Sequence, residues 1–414
     1  MAGKRCADLP ASPQPPRKKF AFIGTPCSRP SLASIPDDLT IEILSRLPAK
    51  SAARLKCVCK GWLAVISSRR FADAHRELSK PRPRMLILPC EYSPEKKTAF
   101  SMRFYEYNGG LASKLVHSEQ FPTGIGRWTQ PLHCDGLILT STSDQEIMVR
   151  NLLTGEFVFL PKGSQNQEQH HRFGFGFDPR SRKYKAARYF YQRQHGVASE
   201  SVCRFEVLTL GTNSFWRRTA DPPYPIRAVT PAHARGFIYW RVDLPDEISP
   251  DVFIRFSLAD ETFSLIPYPP CDAQPVGFVE LEGELCCACF AKPCEVVEIW
   301  ACDDTTDAPA WTRRLVVPLP PEVVVPVPGG SGGARNFFLV QGRPLAPPLP
   351  GGLFRCPKVA FHGKDLLFVI ADRELFRYNI GNATMRKVPV AIKDLWYYQP
   401  DRNNHLPYSE SSGL

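Results

Sequence analysis

Residues 35–50, IPDDLTIEILSRLPAK, set large aliphatics at Leu39, Ile41, Ile43, Leu44 and Leu47 between two prolines, Pro36 and Pro48. Wound at 100° per residue from Leu39, Ile43 falls at about 40°, Leu47 at about 80°, Leu44 at about 140° and Ile41 at about 200°. A short helix beside one small core needs an apolar stripe of roughly 100°, so this segment carries a surplus. Asp37 and Asp38 suit a helix N-terminus, where carboxylates meet unsatisfied N–H groups. Pro48 lacks an N–H and disfavours helix at Leu47, so the first helix is expected to stop there. A second helix is predicted in AKSAARLKCVCKGW, with Leu55, Val58 and Trp62 at 3 and 4 spacing, and a last short turn carries Phe71. Three short helices over some forty residues rarely hold together unaided. Either Leu39, Ile43 and Leu47 pack on the second helix while Ile41 and Leu44 face outward, or the reverse; in both cases a partner protein is expected to cover the remainder.

From about residue 84 the period changes from helical to strand-like, and one pattern recurs. MRFYEYNGGLASKLV, VRNLLTGEFVFLP, RFEVLTLGTNSFWRRT, IRFSLADETFSLIP, VEIWACDDTTDAPAWTRRLVVP and LFRYNIGNATMRKVP each read as an alternating strand, a turn rich in Gly, Asn or Asp, and a second strand. That is a β-hairpin signature. Upstream of four copies runs another strand entered through a glycine turn: CDGLILTS, ARGFIYWRV, EGELCCACF and HGKDLLFVI. Three to four strands per unit at a pitch of roughly fifty residues point to a β-propeller of about six blades, in which no blade can bury its faces alone. A β-sandwich is the competing architecture, since it too has short alternating strands. The fold class expected is thus a small all-α module of three short helices followed by a large all-β domain. Its parts are a basic, Pro-rich and disordered tail at 1–30, the helical module at 31–78, the β domain at 84–398 with a Pro/Gly-rich insertion at 318–352, and a C-terminal tail at 399–414.

Charge narrows the choice of partner. The formal net charge is +11, but residues 1–30 hold six Lys/Arg against one acid and residues 31–80 nine against five, so the remainder is close to balanced. A basic face built for phosphates is not indicated in the β domain, and nucleic acid is not expected as its ligand. Lys4 and Arg5 are separated from Arg17, Lys18 and Lys19 by eleven residues. That spacing is similar to two-part nuclear localisation signals, the alternative being a solvated basic tail, so nucleus and cytoplasm are both expected compartments. No window approaches 18 uncharged apolar residues, so no membrane partner, export signal or lipid anchor is expected. Fourteen cysteines without framework spacing look like reduced, buried thiols.

The block IPDDLTIEILSRLPAKSAARLKCVCKGWLAVISSRRFADAH resembles the F-box of plant F-box proteins, with its leading Ile-Pro, its E-I-L-x-R-L-P core, its R-x-K-x-V-C-K-x-W segment and its closing Phe. The resemblance implies docking of a Skp-type adaptor and, through it, the cullin of a ubiquitin ligase of the SCF type. By that resemblance Pro36, Leu39, Glu42, Ile43, Leu44, Leu47, Pro48, Val58 and Trp62 stand where they shape or line the adaptor surface. Full burial of a Leu or Ile side chain contributes roughly 1.5–3 kcal/mol, so Leu44→Asp is expected to abolish adaptor binding and leave the rest of the chain folded. The β region resembles the plant F-box-associated interaction domain, through V-R-N-L-L-T-G-E-F-V-F-L-P, F-G-F-G-F-D-P-R-S-R-K-Y-K, V-L-T-L-G-T-N-S-F-W-R-R and V-E-I-W before W-T-R-R. It implies capture of a protein substrate for ubiquitination, without naming the target.

Several stretches imitate chemistry. Phe173-Gly174-Phe175-Gly176-Phe177 contains G-x-G, but Asp178-Pro179 follows where a phosphate-binding helix would begin. Cys286, Cys287, Cys289 and Cys294 include a C-x-x-C spacing, but in a strand Cys286 and Cys289 point to opposite faces, so buried thiols are expected rather than a metal site. His133-Cys134-Asp135 are strand neighbours that cannot meet one another. No catalytic set and no cofactor are expected, and the chain reads as a non-enzymatic receptor. The loops YQRQHGVASE and WRVDLPDEISP place Arg193, His195, Arg241 and Asp243 beside aromatics as substrate-contact candidates. Two alternatives stand beside this reading: a non-degradative nuclear scaffold, and a propeller that binds nucleic acid through Arg and aromatic side chains.

Overall fold

The computed structural model describes residues 35–79, 84–87, 98–107, 114–126, 131–142, 144–165, 172–193, 201–212, 215–227, 230–245, 248–271, 275–281, 283–291, 296–304, 309–319, 339–340, 343–344, 358–362, 365–370, 374–388 and 405–408. The helical module contains four helices rather than the expected three: α1 (Asp37–Leu44), α2 (Ala49–Leu55), α3 (Lys60–Ile66) and α4 (Arg69–Ser79). What reads as one second helix breaks at Cys59, which is extended and whose Sγ accepts the Trp62 N–H at 3.4 Å. Cys57, Val58 and Cys59 are weak helix formers, and a side-chain acceptor at the break lets the helix restart. The expected last turn is an eleven-residue helix, entered through Ser68, whose Oγ accepts the Phe71 N–H at 3.2 Å. Leu44, Ala52, Ile66 and Phe71 form the core of the module, with Ile41, Leu47, Leu55 and Trp62 packed around them.

The β region is a set of antiparallel sheets. β1 (Arg84–Ile87), β2 (Thr98–Tyr107) and β3 (Lys114–Gly126) belong to the first. β4 (Leu132–Cys134), β5 (Leu137–Ser141), β6 (Ile147–Asn151) and β7 (Phe157–Leu160) make the second. β8 (Arg172–Asp178), β9 (Lys183–Arg193), β10 (Ser201–Thr209) and β11 (Arg217–Arg218) make the third. The fourth is β12 (Ala232–Ala234), β13 (Phe237–Arg241), β14 (Val252–Ser257) and β15 (Phe263–Pro267). The fifth is β16 (Pro275–Leu281), β17 (Glu284–Ala291), β18 (Val296–Asp303) and β19 (Ala310–Pro318). A small hairpin, β20 (Leu339–Val340) and β21 (Arg343–Pro344), lies in the Pro/Gly-rich stretch. The sixth is β22 (Lys358–His362), β23 (Asp365–Ile370), β24 (Glu374–Asn379) and β25 (Thr384–Val388).

The last strand, β26 (His405–Tyr408), returns to pair with β1 in the registers Arg84↔Tyr408 and Ile87↔His405. Residues 405–408, within the stretch that reads as a tail in the sequence, therefore contribute a strand to the first sheet. The six recurring hairpins of the sequence are the third and fourth strands of the six sheets, and the glycine-entered strands are second strands. Leading strands of consecutive sheets touch: β4 meets β8, β8 meets β12, β12 meets β16, β16 meets β22, β22 meets β26 and β26 meets β4.

Separate apolar cores fill the spaces between consecutive sheets, such as Met102 and Phe104 against Ile138 and Met148, Leu139 and Leu160 against Phe175 and Leu208, and Phe205 against Trp240 and Phe256. A sandwich would bury one core between two sheets; this propeller-like arrangement has a separate core between each consecutive pair from the first sheet to the sixth. The close approach explains the F-G-F-G-F stretch. A Cβ on Gly174 would stand 2.6 Å from Cζ2 of Trp240, and one on Gly176 would run into the His233 ring and stand 2.7 Å from Leu258.

Candidate functional site

The two apolar stripes of α1 divide between a core and open surface. Leu44 is only 4% exposed and Ile41 is half-buried, both turned toward α2, α3 and α4. Leu39 and Ile43, one turn apart on the other side, are 50% and 55% exposed. Of the two arrangements open to the sequence, the second holds for Ile41 and Leu44 against Leu39 and Ile43, while Leu47 also packs on the core. Leu44 belongs to the inside, so an aspartate there would put a charge into the module's own core, and loss of adaptor binding by Leu44→Asp would report the fold of the module rather than a direct contact. Val58, in the connection between α2 and α3, is 60% exposed, and Ile35 and Leu63 are also uncovered. Pro36, Glu42 and Pro48 are exposed, whereas Leu47 and Trp62 are half-buried against the core. Glu42 pairs with Arg46 at 3.0 Å on the helix surface.

Buried polar groups hold the module together. The Nε2–H of His75 donates to the Leu47 carbonyl at 2.9 Å, occupying a carbonyl that Pro48 keeps from continuing the helix ladder, and the His75 ring stacks on Phe71 at 5.8 Å. α4 then docks the module on the sheets. Arg76, with a side chain 10% exposed, lies 3.0 Å from Asp73 on its own helix and 3.7 Å from Asp135 in the β4–β5 turn, and its guanidinium sits 3.9 Å above the Phe177 ring. Burial alone would lower the Arg76 pKa, but Tyr184, Asp135 and Asp73 more than offset it and the net shift is upward. Burial also pushes Tyr184 well above the usual tyrosine value, so it meets Arg76 as a neutral hydroxyl. Arg69 donates to the carbonyls of Ser181 and Arg182, each at 3.3 Å, Arg182 pairs with Asp73, and Lys56 reaches Glu156 at 3.9 Å. These docking residues escape a sequence reading because Arg69, Asp73 and Arg76 find their partners in turns more than fifty residues away.

The module contacts one end of the sheets. The β4–β5 and β8–β9 turns both touch α4, and the β12–β13 turn lies beside them, where a Cβ on Gly236 would come within 2.6 Å of Pro179, as does the β14–β15 turn, where Asp260 pairs with Arg180 at 2.6 Å. Arg241 ends β13, which starts at that turn, and so lies about 13 Å along the strand toward the opposite end. There Asp243 stands 3.5 Å from Arg227, the Tyr191 hydroxyl donates to the Ile226 carbonyl at 3.3 Å, and Arg172 lies 5.8 Å from the Tyr191 ring centre. Arg241 hydrogen-bonds Tyr268, whose pKa burial raises against the opposing effect of that arginine. Arg241 and Asp243 are thus brought to one end of the sheets, with Arg172, Arg227 and Tyr268 around them. Sequence spacing misses Arg172 and Arg227 because they come from separate strands and loops. Arg193 is the last residue of β9 at that same end. His195, the basic clusters Lys4, Arg5, Arg17, Lys18 and Lys19, and Cys294 lie outside the described residues.

The stretches that imitate chemistry have structural partners. Cys286 packs toward the sixth sheet with Leu366 and Phe376, and Cys287 and Cys289 pack toward the fourth with Phe253. Burial pushes the Cys286 thiol up to about 12. The Cys289 thiol is pushed up by its Cys287 neighbour and by burial, so both resist ionisation. Cys134 meets His233 at 3.7 Å, but the Phe177 N–H donates to His233 Nε2, which leaves the ring proton on Nδ1 facing the sulfur. A histidine in that tautomer does not take a proton from the thiol. His133 accepts the Gly136 N–H in the adjoining turn.

Residues 93–324 match the family model of the F-box associated beta propeller domain, and residues 32–73 match the F-box domain. Among curated proteins, the chain is 30% identical over 292 residues to the F-box protein At5g18160 of Arabidopsis thaliana, covering 70% of this chain and 72% of that one. It is 27% identical over 311 residues to the F-box protein At3g07870 of Arabidopsis thaliana, covering 69% and 73%. Among solved structures, an oligogalacturonate lyase in complex with manganese aligns with 77% of this chain and 82% of its own at a TM-score of 0.44 and 11% identity. With a family match over more than half its length, on a propeller-like set of sheets preceded by four short helices, the chain belongs to the F-box proteins that carry an F-box associated β-propeller domain.

Proposed function

We propose that this chain is the substrate-recognition subunit of a cullin-based ubiquitin ligase of the SCF type. The helical module docks a Skp-type adaptor through Leu39, Ile43 and Val58, while Leu44, Ala52, Ile66 and Phe71 hold its fold. The six sheets close as a six-bladed propeller, with β26 on β1 joining its ends. A protein target binds at the end remote from the module, where Arg241 and Asp243 lie beside Tyr268 and Arg227, with Arg193 and His195 as further contact candidates. The two basic clusters of residues 1–30 direct part of the population to the nucleus. The chain contributes no chemistry of its own; it raises the effective concentration of the target beside a separate catalytic subunit.

One observation carries the reading: a module whose core is already closed still leaves Leu39, Ile43 and Val58 half or more exposed. Isolated exposed aliphatics are ordinary, but several on so small a unit mark an interaction surface. Affinity purification of the full chain under proteasome inhibition tests it. Ile43→Asp is expected to lose adaptor and cullin and to keep the proteins held by the β domain, and alanine at Arg241 and Asp243 to do the opposite. Adaptor retained at wild-type yield by Ile43→Asp overturns the reading.

A further inference from the structure

Three outermost strands carry charged or hydroxyl side chains at the edge, Arg217 and Arg218 on β11, Thr312, Arg313 and Arg314 on β19, Arg386 and Lys387 on β25, and β3, β15 and β19 each expose a single aliphatic, Leu115, Leu265 and Val316. β7 departs from this. Phe157, Val158 and Phe159 stand in succession and all are exposed, the two phenylalanines by 52% and 55%. They share one face of the strand, meet edge to face with ring centres 5.6 Å apart, and the guanidinium of Arg150 lies 4.7 Å over the Phe157 ring. Arg150 is itself fixed by Glu119 at 2.8 Å. The aromatic pair is therefore held in a defined geometry yet left open to water, and among the described residues no strand pairs with the outer edge of β7. Exposed aromatic edges are selected against unless something covers them.

The place of this strand says what covers it. Glu156, the residue before Phe157, is the group that Lys56 of the helical module reaches, and Val58, two residues beyond Lys56, is the most exposed large aliphatic of that module. The aromatic strip thus begins where the module meets the second sheet and continues the apolar surface of the module onto the β domain. The target-binding end is at the other extremity of the sheets.

We propose that the adaptor seated on the helical module also covers Phe157 and Phe159, so that its interface runs from α1 and the α2–α3 connection onto β7. The inference rests on the adaptor reading of the module. A stable interface buries about 800 Å² on each partner. A half-exposed phenylalanine leaves roughly 100 Å² to cover, so the pair supplies a substantial share, and as rigid aromatics they are of the kind that dominates interface energy. Contact at β7 also fixes the direction in which the target-binding end points relative to the rest of the ligase.

The test titrates purified full-length chain with a recombinant Skp-type adaptor by calorimetry, in three forms: wild type, Phe157→Thr/Phe159→Thr, and Ile43→Asp. Threonine keeps strand propensity at both sites. The double variant is expected to bind at least tenfold more weakly, and in the wild type the amides of residues 157–160 are expected to gain hydrogen-exchange protection on adaptor binding. Unchanged affinity and unchanged protection, with binding abolished by Ile43→Asp, confine the adaptor to the module and overturn the inference alone. Wild-type affinity in Ile43→Asp overturns the adaptor reading beneath it. A concentration-dependent dimer of the free chain that the double variant abolishes, with adaptor affinity unaltered, assigns the strip to a second copy instead and also overturns the inference.

Discussion

Replacing Arg76 by alanine should release the helical module from the sheets. The side chain does three things at one point: it stacks 3.9 Å above Phe177, faces Asp135 at 3.7 Å and meets the neutral hydroxyl of Tyr184. A desolvated cation–aromatic contact is worth about 2 kcal/mol, and removing one member of a buried ion pair costs about 3–5 kcal/mol. Asp73 keeps Arg182 as a partner, and Asp135 retains other contacts, so the lower figure applies. A loss of about 3 kcal/mol corresponds to roughly a hundredfold shift in the docking equilibrium, since each 1.4 kcal/mol is tenfold. Native-state hydrogen exchange reads that shift directly. Amides of α4 in Arg76→Ala are expected to exchange about a hundredfold faster than in wild type, while amides of β5 and β13 are unaltered. Arg76→Lys keeps the charge but not the planar stacking and should fall between the two. Unchanged protection of α4 would refute the reasoning, and so would an equal rise in the sheets, which would mean that module and sheets open as one unit. The raised pKa of Arg76 keeps it charged across ordinary pH, so the effect should not vary between pH 6 and pH 9.

The remaining predictions concern the two kinds of interior. Leu44→Ala should destabilise the module by about 2–5 kcal/mol as a cavity substitution, and Leu44→Asp should unfold it; thermal melting of the helical signal that is unchanged in Leu44→Asp would contradict the core assignment. Asp178 is buried, and although burial raises its pKa, hydrogen bonds from Ser181, Arg180 and Lys185 bring the net shift below the usual value. A depressed folded-state pKa contributes stability that is present above the unfolded-state value, about 3.9, and is lost as pH falls through the lower folded-state value. The stability gap between wild type and Asp178→Asn, measured by urea unfolding, should therefore be full at pH 7 and shrink below about pH 4. A gap that is constant down to pH 2 would refute the assignment.

How far the sequence alone carries can be judged from particular residues. Period-2 alternation marks nearly every strand pair, because a side chain that alternates between a packed face and its opposite leaves a local trace. The six hairpins read along the chain are the outer pairs of the six sheets for that reason. The extra surface of α1 is likewise legible, since a 3.6-residue period needs only neighbours along the helix. Which stripe faces inward is not, because Ile41 and Leu44 are as apolar as Leu39 and Ile43; only the partners at Ala52, Ile66 and Phe71 decide it. The break at Cys59 escapes for a related reason, being set by a capping contact rather than by an apolar period.

Other features belong to the tertiary structure outright. β26 reads as part of a tail, because four residues acquire meaning as a strand only when β1, more than three hundred residues earlier, lies beside them. Nothing along the chain links Arg76 to Asp135, and they become a joint once the β4–β5 turn is folded against α4. Phe157 and Phe159 alternate along their strand as core residues do, and both lie on the surface, where among the described residues no strand pairs with the outer edge of β7. The sequence by itself thus determined the local elements, their repetition and the presence of surplus apolar surface, each governed by contacts a few residues apart. Where that surplus lies, what joins the two parts and which end is free for a partner were decided by contacts between distant segments, which no local pattern encodes.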